Sequence, residues 1–294
     1  MRYFLCLTSS VVLTITGCQK PTESSTSEND SYSPPILEAP AKDMTREMSV
    51  EELMENLGVG EKGQAQKIGG KIRKVSLVQT NVKDLSPLKD LELVMLDLTF
   101  CPVSDLSPLA GMPLEELYLE ETDITDESLA ALTDMPLKIL YLGSTDVTSI
   151  APLSGLPLTQ LNLLDAPIRS IQGVEKMPLQ TLWVPGTSVS DLSPLNGMQL
   201  QSLDIARSEV TSLEPLRELK TLQRLNMEDC EVADLSPLKD LPLTRLIFWP
   251  ANVENKESLE MIRNKSSLQE LGIDFDSRMP PAEFWAKYDA GEFQ

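Results

Sequence analysis

Histidine is missing from all 294 residues. That absence removes Ser-His-Asp and Cys-His nucleophilic schemes and the common zinc sites at once. Cations are scarce: 25 Lys and Arg stand against 45 Asp and Glu, for a formal net charge of −20. Such a field repels nucleic acid and anionic lipid, and leaves basic proteins, cationic glycans or divalent ions as partners that charge alone would favour. Aromatic residues make up only 5% of the chain, so any place where they gather is informative. The apolar run "YFLCLTSSVVLTIT" behind Arg2 is too short for a stable membrane span and has the form of a secretory signal. No acid, base and nucleophile are grouped in a way that suggests catalysis, so the expectation is no enzyme, no cofactor and no metal.

A unit of about 21 residues fills most of the remainder. Its first leucine-type position falls at Ile72, Leu93, Leu114, Leu137, Leu158, Leu179, Leu200, Leu222 and Leu243, with a degenerate copy near Leu268. Each copy reads L-x-x-L-x-L-x-x-T-x-V-x-D-L-S-P-L-x-x-M, as in "LQTLWVPGTSVSDLSPLNGM" from Leu179 to Met198. Inside L-x-L the period is two, which puts Leu117 and Leu119 on the buried side of a short strand and Tyr118 on the other. The returning "DLSPL" segments at Asp84, Asp105, Asp191 and Asp234 offer an Asp to cap free N–H groups and a Pro where no donor is needed. Too few residues remain there for a full α-helix, so 3₁₀ turns are expected. The third copy, "ITDESLAALTDM", is longer and reads as a true one- or two-turn helix.

No unit can bury its leucines alone, so the array needs end pieces. Before it, "SVEELMENLG" carries Ser49 as N-cap and Glu52 as a capping-box partner, with Leu53, Met54 and Leu57 on one face. After it, "PPAEFWAKYDAGEF" sets Phe284 and Tyr288 four apart beside Trp285, a group that suits a closing lid better than a ligand site. The triplet Gly58, Gly60 and Gly63 matches G-x-G-x-x-G. A dinucleotide site would need a strand before it and a helix after, whereas here a helix precedes, leaving a C-cap and a flexible link into the first strand.

The position at the bend after each strand reads Thr80, Cys101, Thr122, Thr145, Ala166, Thr187, Ser208, Cys230 and Ala251. Small hydroxyls and thiols there can satisfy buried backbone groups. Cys101 and Cys230 sit six repeats apart, about 29 Å at roughly 4.8 Å per strand, so both should be free buried thiols. The acidic run Glu115, Glu116, Glu120, Glu121, Asp123, Asp126 and Glu127 lacks the spacing of a calcium loop and reads as a solvated face.

The middle position of each L-x-L points out of the sheet. It runs Ser76, Asp97, Tyr118, Tyr141, Asn162, Trp183, Asp204, Asn226, Ile247 and Gly272, and neighbouring columns add Met95, Phe100, Ile139, Leu164 and Trp249. Aromatic anchors inside a polar rim are what protein interfaces use, and aromatic faces also stack on sugar rings. The expected partner site is therefore Tyr118, Tyr141, Trp183 and Trp249 with Met95, Phe100, Glu116, Glu120, Arg207 and Arg224. The expected ligand is a protein, with a glycan as the alternative and no role for nucleic acid. The rim is acidic toward the N-terminal half and mixed beyond it, where Glu228, Asp229 and Arg245 join Arg207 and Arg224.

Residues 72–276 resemble bacterial leucine-rich repeat proteins with short, internalin-like units, on the strength of the repeats quoted above. The "DLSPL" and "GMPL" wording and the closing "EFWAKYDAGEF" are also similar to repeat regions that some bacteria attach to serine/threonine kinases. The kinase itself is absent, since the chain has neither a catalytic-loop His-Arg-Asp nor an Asp-Phe-Gly. The resemblance implies an α/β solenoid with a concave parallel sheet, a convex side of 3₁₀ turns or short helices, and helical caps. It implies recognition without catalysis, or service as an accessory or sensory subunit of a kinase or hydrolase system. Upstream, Ile15, Thr16, Gly17 and Cys18 resemble the bacterial lipobox, in which Cys18 would be acylated and residues 1–17 removed, Cys6 among them. More than one acyl chain gives stable anchoring. Gln19, not being Asp, would permit transfer to an outer membrane, so the expected location is an exported lipoprotein facing periplasm or exterior. The expected organisation is signal 1–17, tether 18–45 rich in Ser, Thr, Pro and Glu, N-terminal cap 46–71, repeats 72–276 and C-terminal cap 277–294.

Overall fold

The computed structural model describes residues 48–293, and Cys18, Gln19, the signal, the whole tether and the first two residues of the expected N-terminal cap lie outside them. The array opens with helix α1 (Val50–Asn56), whose N-cap Ser49 accepts a hydrogen bond from the Glu52 amide and whose Leu53 and Met54 are buried. Only that half of the capping box forms, the Glu52 side chain staying exposed. Strands β1 (Gln64–Ile68) and β2 (Lys71–Ser76) then form an antiparallel hairpin. Its two-residue loop, Gly69 and Gly70, has φ of 61° and 85°, the pair of positive angles that a type I′ turn requires. The expected flexible link from Gly58 to the repeats is thus a short 3₁₀ turn (Gly60–Lys62) followed by a paired strand.

From β2 onward every strand is parallel to the next: β3 (Met95–Asp97), β4 (Glu116–Tyr118), β5 (Ile139–Tyr141), β6 (Gln160–Asn162), β7 (Thr181–Trp183), β8 (Ser202–Asp204), β9 (Arg224–Asn226), β10 (Arg245–Ile247) and β11 (Glu270–Gly272). Among the described residues the 11 strands follow chain order without a crossover. The register is strict: Leu96, Leu117, Leu140, Leu161, Leu182, Leu203, Leu225 and Leu246 pair one to the next, and all are essentially fully buried. A single continuous core results, since each leucine covers its neighbours in the flanking units.

The opposite side is built from 3₁₀ turns with Pro in the first turn at Ser86–Leu88, Ser107–Leu109, Ser193–Leu195 and Ser236–Leu238. In each, the Asp two residues before the Ser accepts its amide, at 2.8 Å from Asp84, Asp105 and Asp191 and 2.9 Å from Asp234. Ser107 and Ser193 in turn fix the carboxylates of Asp105 and Asp191, whose affinity for protons falls accordingly. The longer third copy departs from expectation. Ser128–Leu132 is a 3₁₀ turn, not an α-helix. Its amides bond three residues back, as in Ser128 to Thr125 and Leu129 to Asp126, because each repeat must return to the sheet before a four-residue ladder can start. A helix on this side is α2 (Lys256–Arg263), in the lengthened ninth unit.

Helix α3 (Pro281–Asp289) closes the far end. Phe284 packs on Phe248, Trp285 and Phe293 with centroids 5.8, 5.2 and 5.1 Å away, and Arg263 lies over the Trp285 ring. These aromatics are lid, as the need for a cap suggested. No described helix is long and apolar enough to cross a membrane.

Candidate functional site

Because the strands are in register, their outward side chains form straight columns. The central column is the one expected from L-x-L: Asp97 pairs with Tyr118, Tyr118 with Tyr141, Tyr141 with Asn162, and Asn162 with Trp183. Tyr118 and Tyr141 meet edge to face, with centroids 5.1 Å apart and planes at 83°. Tyr141 and Trp183 do the same at 5.7 Å and 76°, although β6 runs between them. Their rings close over Asn162, which is only 8% exposed. Edge-to-face pairs of this kind are each worth about 0.5–1.5 kcal/mol beyond area burial, so the three rings hold one another in place on a half-buried surface.

Asn162 is not idle beneath them. Its Nδ2 donates to Glu120 Oε1 at 3.0 Å, and its Oδ1 accepts the Leu164 amide at 3.0 Å. Glu120 reaches Asn162 by lying across Gly143 on the intervening strand, where a Cβ would sit 3.3 Å from the Leu164 carbonyl and 3.6 Å from Glu120 Cγ. Glycine leaves room for that crossing. Burial pushes the Glu120 carboxyl up to about 7, with Asp97 and Glu121 adding repulsion and the Asn162 amide opposing. The Tyr141 hydroxyl is likewise pushed up to about 12 by burial and by Glu120. Tyr118 moves in the same direction, through burial first and then Glu116, to which its hydroxyl donates at 3.2 Å.

The remaining expected residues are placed in the adjacent columns. Met95, Glu116 and Ile139 line one side of the rings in consecutive register. Phe100 stands on the lip of the sheet, 42% exposed. Arg224 is exposed in the same column as Glu116 but on β9, and Arg207 sits 3.6 Å from Asp165. Trp249 does not join the cluster: it follows β10, three strands and about 14 Å beyond β7. Ile247 is fully buried and not an outward contact residue. The chain after β11 turns back over that end, with Met279 bridging Leu271 and a Cβ on Gly272 falling 2.7 Å from the Asp274 carbonyl.

Two regularities escape a reading of the pattern. Asp97, Asn162, Asp204 and Asn226 each accept the amide two residues on, an Asx turn that ends the strand. Their recurrence in the central column was the available signal. Beside the lip, Gln79, Phe100, Glu121, Ser144, Asp165, Arg207 and Asp229 all take φ between 53° and 60°. Only Gly186, at 69° in the same column, hinted that the bend demands the left-handed region.

The bend ladder behaves as read. Thr122, Thr145 and Thr187 hydroxyls donate to the carbonyls three residues back at 2.6–2.8 Å. Cys101 and Cys230, both buried and unpaired, donate to Leu77 and Ile205 of the preceding unit. At the ninth unit Asn252, rather than Ala251, takes the role, its amide donating to the Cys230 carbonyl at 3.1 Å. Among the described residues no group of three or more Cys, Asp or Glu is arranged to hold a metal ion.

No family model and no curated protein matches the chain. Solved structures do. Internalin C2 from Listeria monocytogenes is 30% identical over 58% of this chain and 77% of its own, with a TM-score of 0.55. An internalin F from the same species is 23% identical over 67% and 79%, at a TM-score of 0.39. The leucine-rich repeat ectodomain of the Arabidopsis receptor kinase HAESA, solved with a peptide hormone ligand, is 18% identical over 62% and 39%, at 0.46.

Proposed function

For a chain that belongs to the leucine-rich repeat proteins, we propose non-enzymatic recognition of a protein partner through the outward face of β4–β7. The observation that carries this reading is the edge-to-face row of Tyr118, Tyr141 and Trp183 on an open sheet. In a chain with so few aromatics, large rings outside the core are the residue types that concentrate binding energy in protein interfaces. Glycan binding is the weaker reading. Planes at 83° and 76° pack side chain against side chain and do not make a flat platform for consecutive sugar rings.

The lipobox-like Ile15–Cys18 and the polar stretch after it support a setting for this activity: a scaffold anchored through acylated Cys18 and held off an envelope membrane by its tether, with Gln19 favouring the outer membrane. Mass spectrometry of the protein from its native envelope tests the anchor, which requires a diacylglyceryl mass on an N-terminal Cys18 peptide. Recognition is tested by cross-linking in that envelope, comparing wild type with Tyr118→Ala, Trp183→Ala. A defined protein lost in the double variant, with its fold intact by circular dichroism, supports the reading. An unchanged set of captured proteins removes the face from consideration. Service as an accessory subunit of a kinase or hydrolase would appear as capture of that enzyme.

A further inference from the structure

The face carries more information than its rings. Across β3–β7 the outward columns hold Asp97, Glu116, Glu120, Glu121 and Asp165 and no Lys or Arg. Across β8–β10 they hold Arg207, Arg224 and Arg245 together with Asp204, Glu228 and Asp229, so the two signs balance there. Carboxylates with no cation in the columns of those strands therefore coincide with the aromatic rings at one end, and a balanced mixture of both signs sits at the other. Glu116 lies beside Tyr118, and Glu120 lies beside Tyr141. Electron-rich ring faces next to carboxylates suit a guanidinium or ammonium group, which gains from both.

We propose that the β4–β7 part of the face seats an extended, basic segment of the partner polypeptide, with one Lys or Arg head group against Tyr118 and Tyr141 and its charge met by Glu116 and Glu120. This deepens the protein-recognition reading and rests on it. From Tyr118 to Trp183 the row spans three strand spacings, about 14 Å, the length of roughly four extended residues. Charge complementarity also sets where the basic part of the partner lies: toward β4, where the columns hold carboxylates and no cation, and away from Arg224 on β9.

The seat also couples binding to protons. Glu120 is faced by Asp97 from β3, by Glu121 and the Tyr118–Glu116 pair from its own unit, by Tyr141 from β5 and by Asn162 from β6. Every charged neighbour is negative, so an arriving cation favours the ionised form of Glu120 and expels its proton. Affinity then rises as pH increases through about 7.

The test is selection of linear dodecapeptides from a fully random display library on the immobilised full chain, followed by titration of one synthetic winner. Enriched peptides are expected to share a Lys or Arg at a fixed position. Tyr141→Ala should weaken the winner more than about 30-fold, and Glu116→Gln and Glu120→Gln about 5- to 10-fold each. Glu218→Gln, on the opposite side of the solenoid, should change nothing. Moving from pH 8 to pH 6 should weaken the wild type and leave Glu120→Gln, whose amide keeps the Asn162 contact, nearly unaffected. Winners that are neutral or acidic yet lost in Tyr141→Ala overturn the cation seat and spare the recognition reading. Basic winners that bind folded Tyr141→Ala as well as wild type overturn the seat too. No enrichment over an unrelated acidic protein overturns both.

Discussion

The two halves of the outward face share one backbone and differ in what their side chains do. On β4–β7 the central column is Tyr118, Tyr141, Asn162 and Trp183, and its rings shield a hydrogen-bonded carboxylate. On β8 and β9 the same column is Asp204 and Asn226. There Asp204 accepts the Ala206 amide and the Asn226 side chain, each at 3.0 Å, and Asn226 accepts the Glu228 amide. The first half places apolar area where a partner can use it. The second turns its polar groups inward to finish the strands. Repeat architecture permits this because the first inward position of L-x-L is a buried leucine in both halves, from Leu117 to Leu225, so the outer column is free to vary without disturbing the core.

If that separation holds, the largest effects should not distinguish the halves at all. Leu140→Ala under Tyr141 and Leu203→Ala under Asp204 remove equivalent, fully buried side chains, and each should cost roughly 3–4 kcal/mol in urea unfolding. A difference of more than about 1.5 kcal/mol would mean that the outer columns feed back on the core. Next in size is binding. Tyr141→Ala should cost about 2–3 kcal/mol of affinity for a captured partner while Asn226→Ala costs under about 0.5, by titration calorimetry; equal losses would erase the functional distinction. For stability the order reverses among the polar residues: Asp204→Ala strands the Ala206 amide and should lower stability by about 1–2 kcal/mol without touching affinity.

The smallest effect is a pH dependence confined to the aromatic half. Glu120 has its carboxyl raised in the folded state to about 7 from an ordinary 4.5. Its contribution is therefore fully present below about pH 4.5 and lost as pH climbs through 7. Glu120→Gln should be about 1 kcal/mol more stable than wild type at pH 8, after allowing for partial solvent screening, and indistinguishable from it near pH 4.5. Paired thermal melts at the two pH values measure this, and equal differences at both would show that Glu120 ionises freely.

The architecture was legible because two periods, two within L-x-L and about 21 between copies, are independent and both hold over most of the chain. They fix the inward leucines and the outward column together, so Tyr118, Tyr141 and Trp183 could be aligned from spacing. Periodicity ceases to inform where the pattern ends. The strand Gln64–Ile68 is almost wholly exposed and shows no apolar alternation, so only Gly69-Gly70 marked its hairpin. At β10 the spacing sets Ile247 in the outward column, yet it is fully buried where the chain after β11 turns back over that end, and Trp249 stands in register but three strands away from the other rings. The bond from Asn162 to Glu120 spans 42 residues of sequence and two strands, and no local rule predicts a side chain lying across its neighbour.

The left-handed residues along the lip bear on how long such an array must be. Gln79, Phe100, Glu121, Ser144, Asp165, Arg207 and Asp229 are not glycine, so each holds its bend at a strain of about 1 kcal/mol. Together that approaches the whole net stability of an ordinary small domain. Each added unit contributes its own stacking interface, so the solenoid can carry a decorated lip only above some minimum number of units. Trimming repeats should exhaust that reserve sooner than it would in a version with glycine at all of these bends.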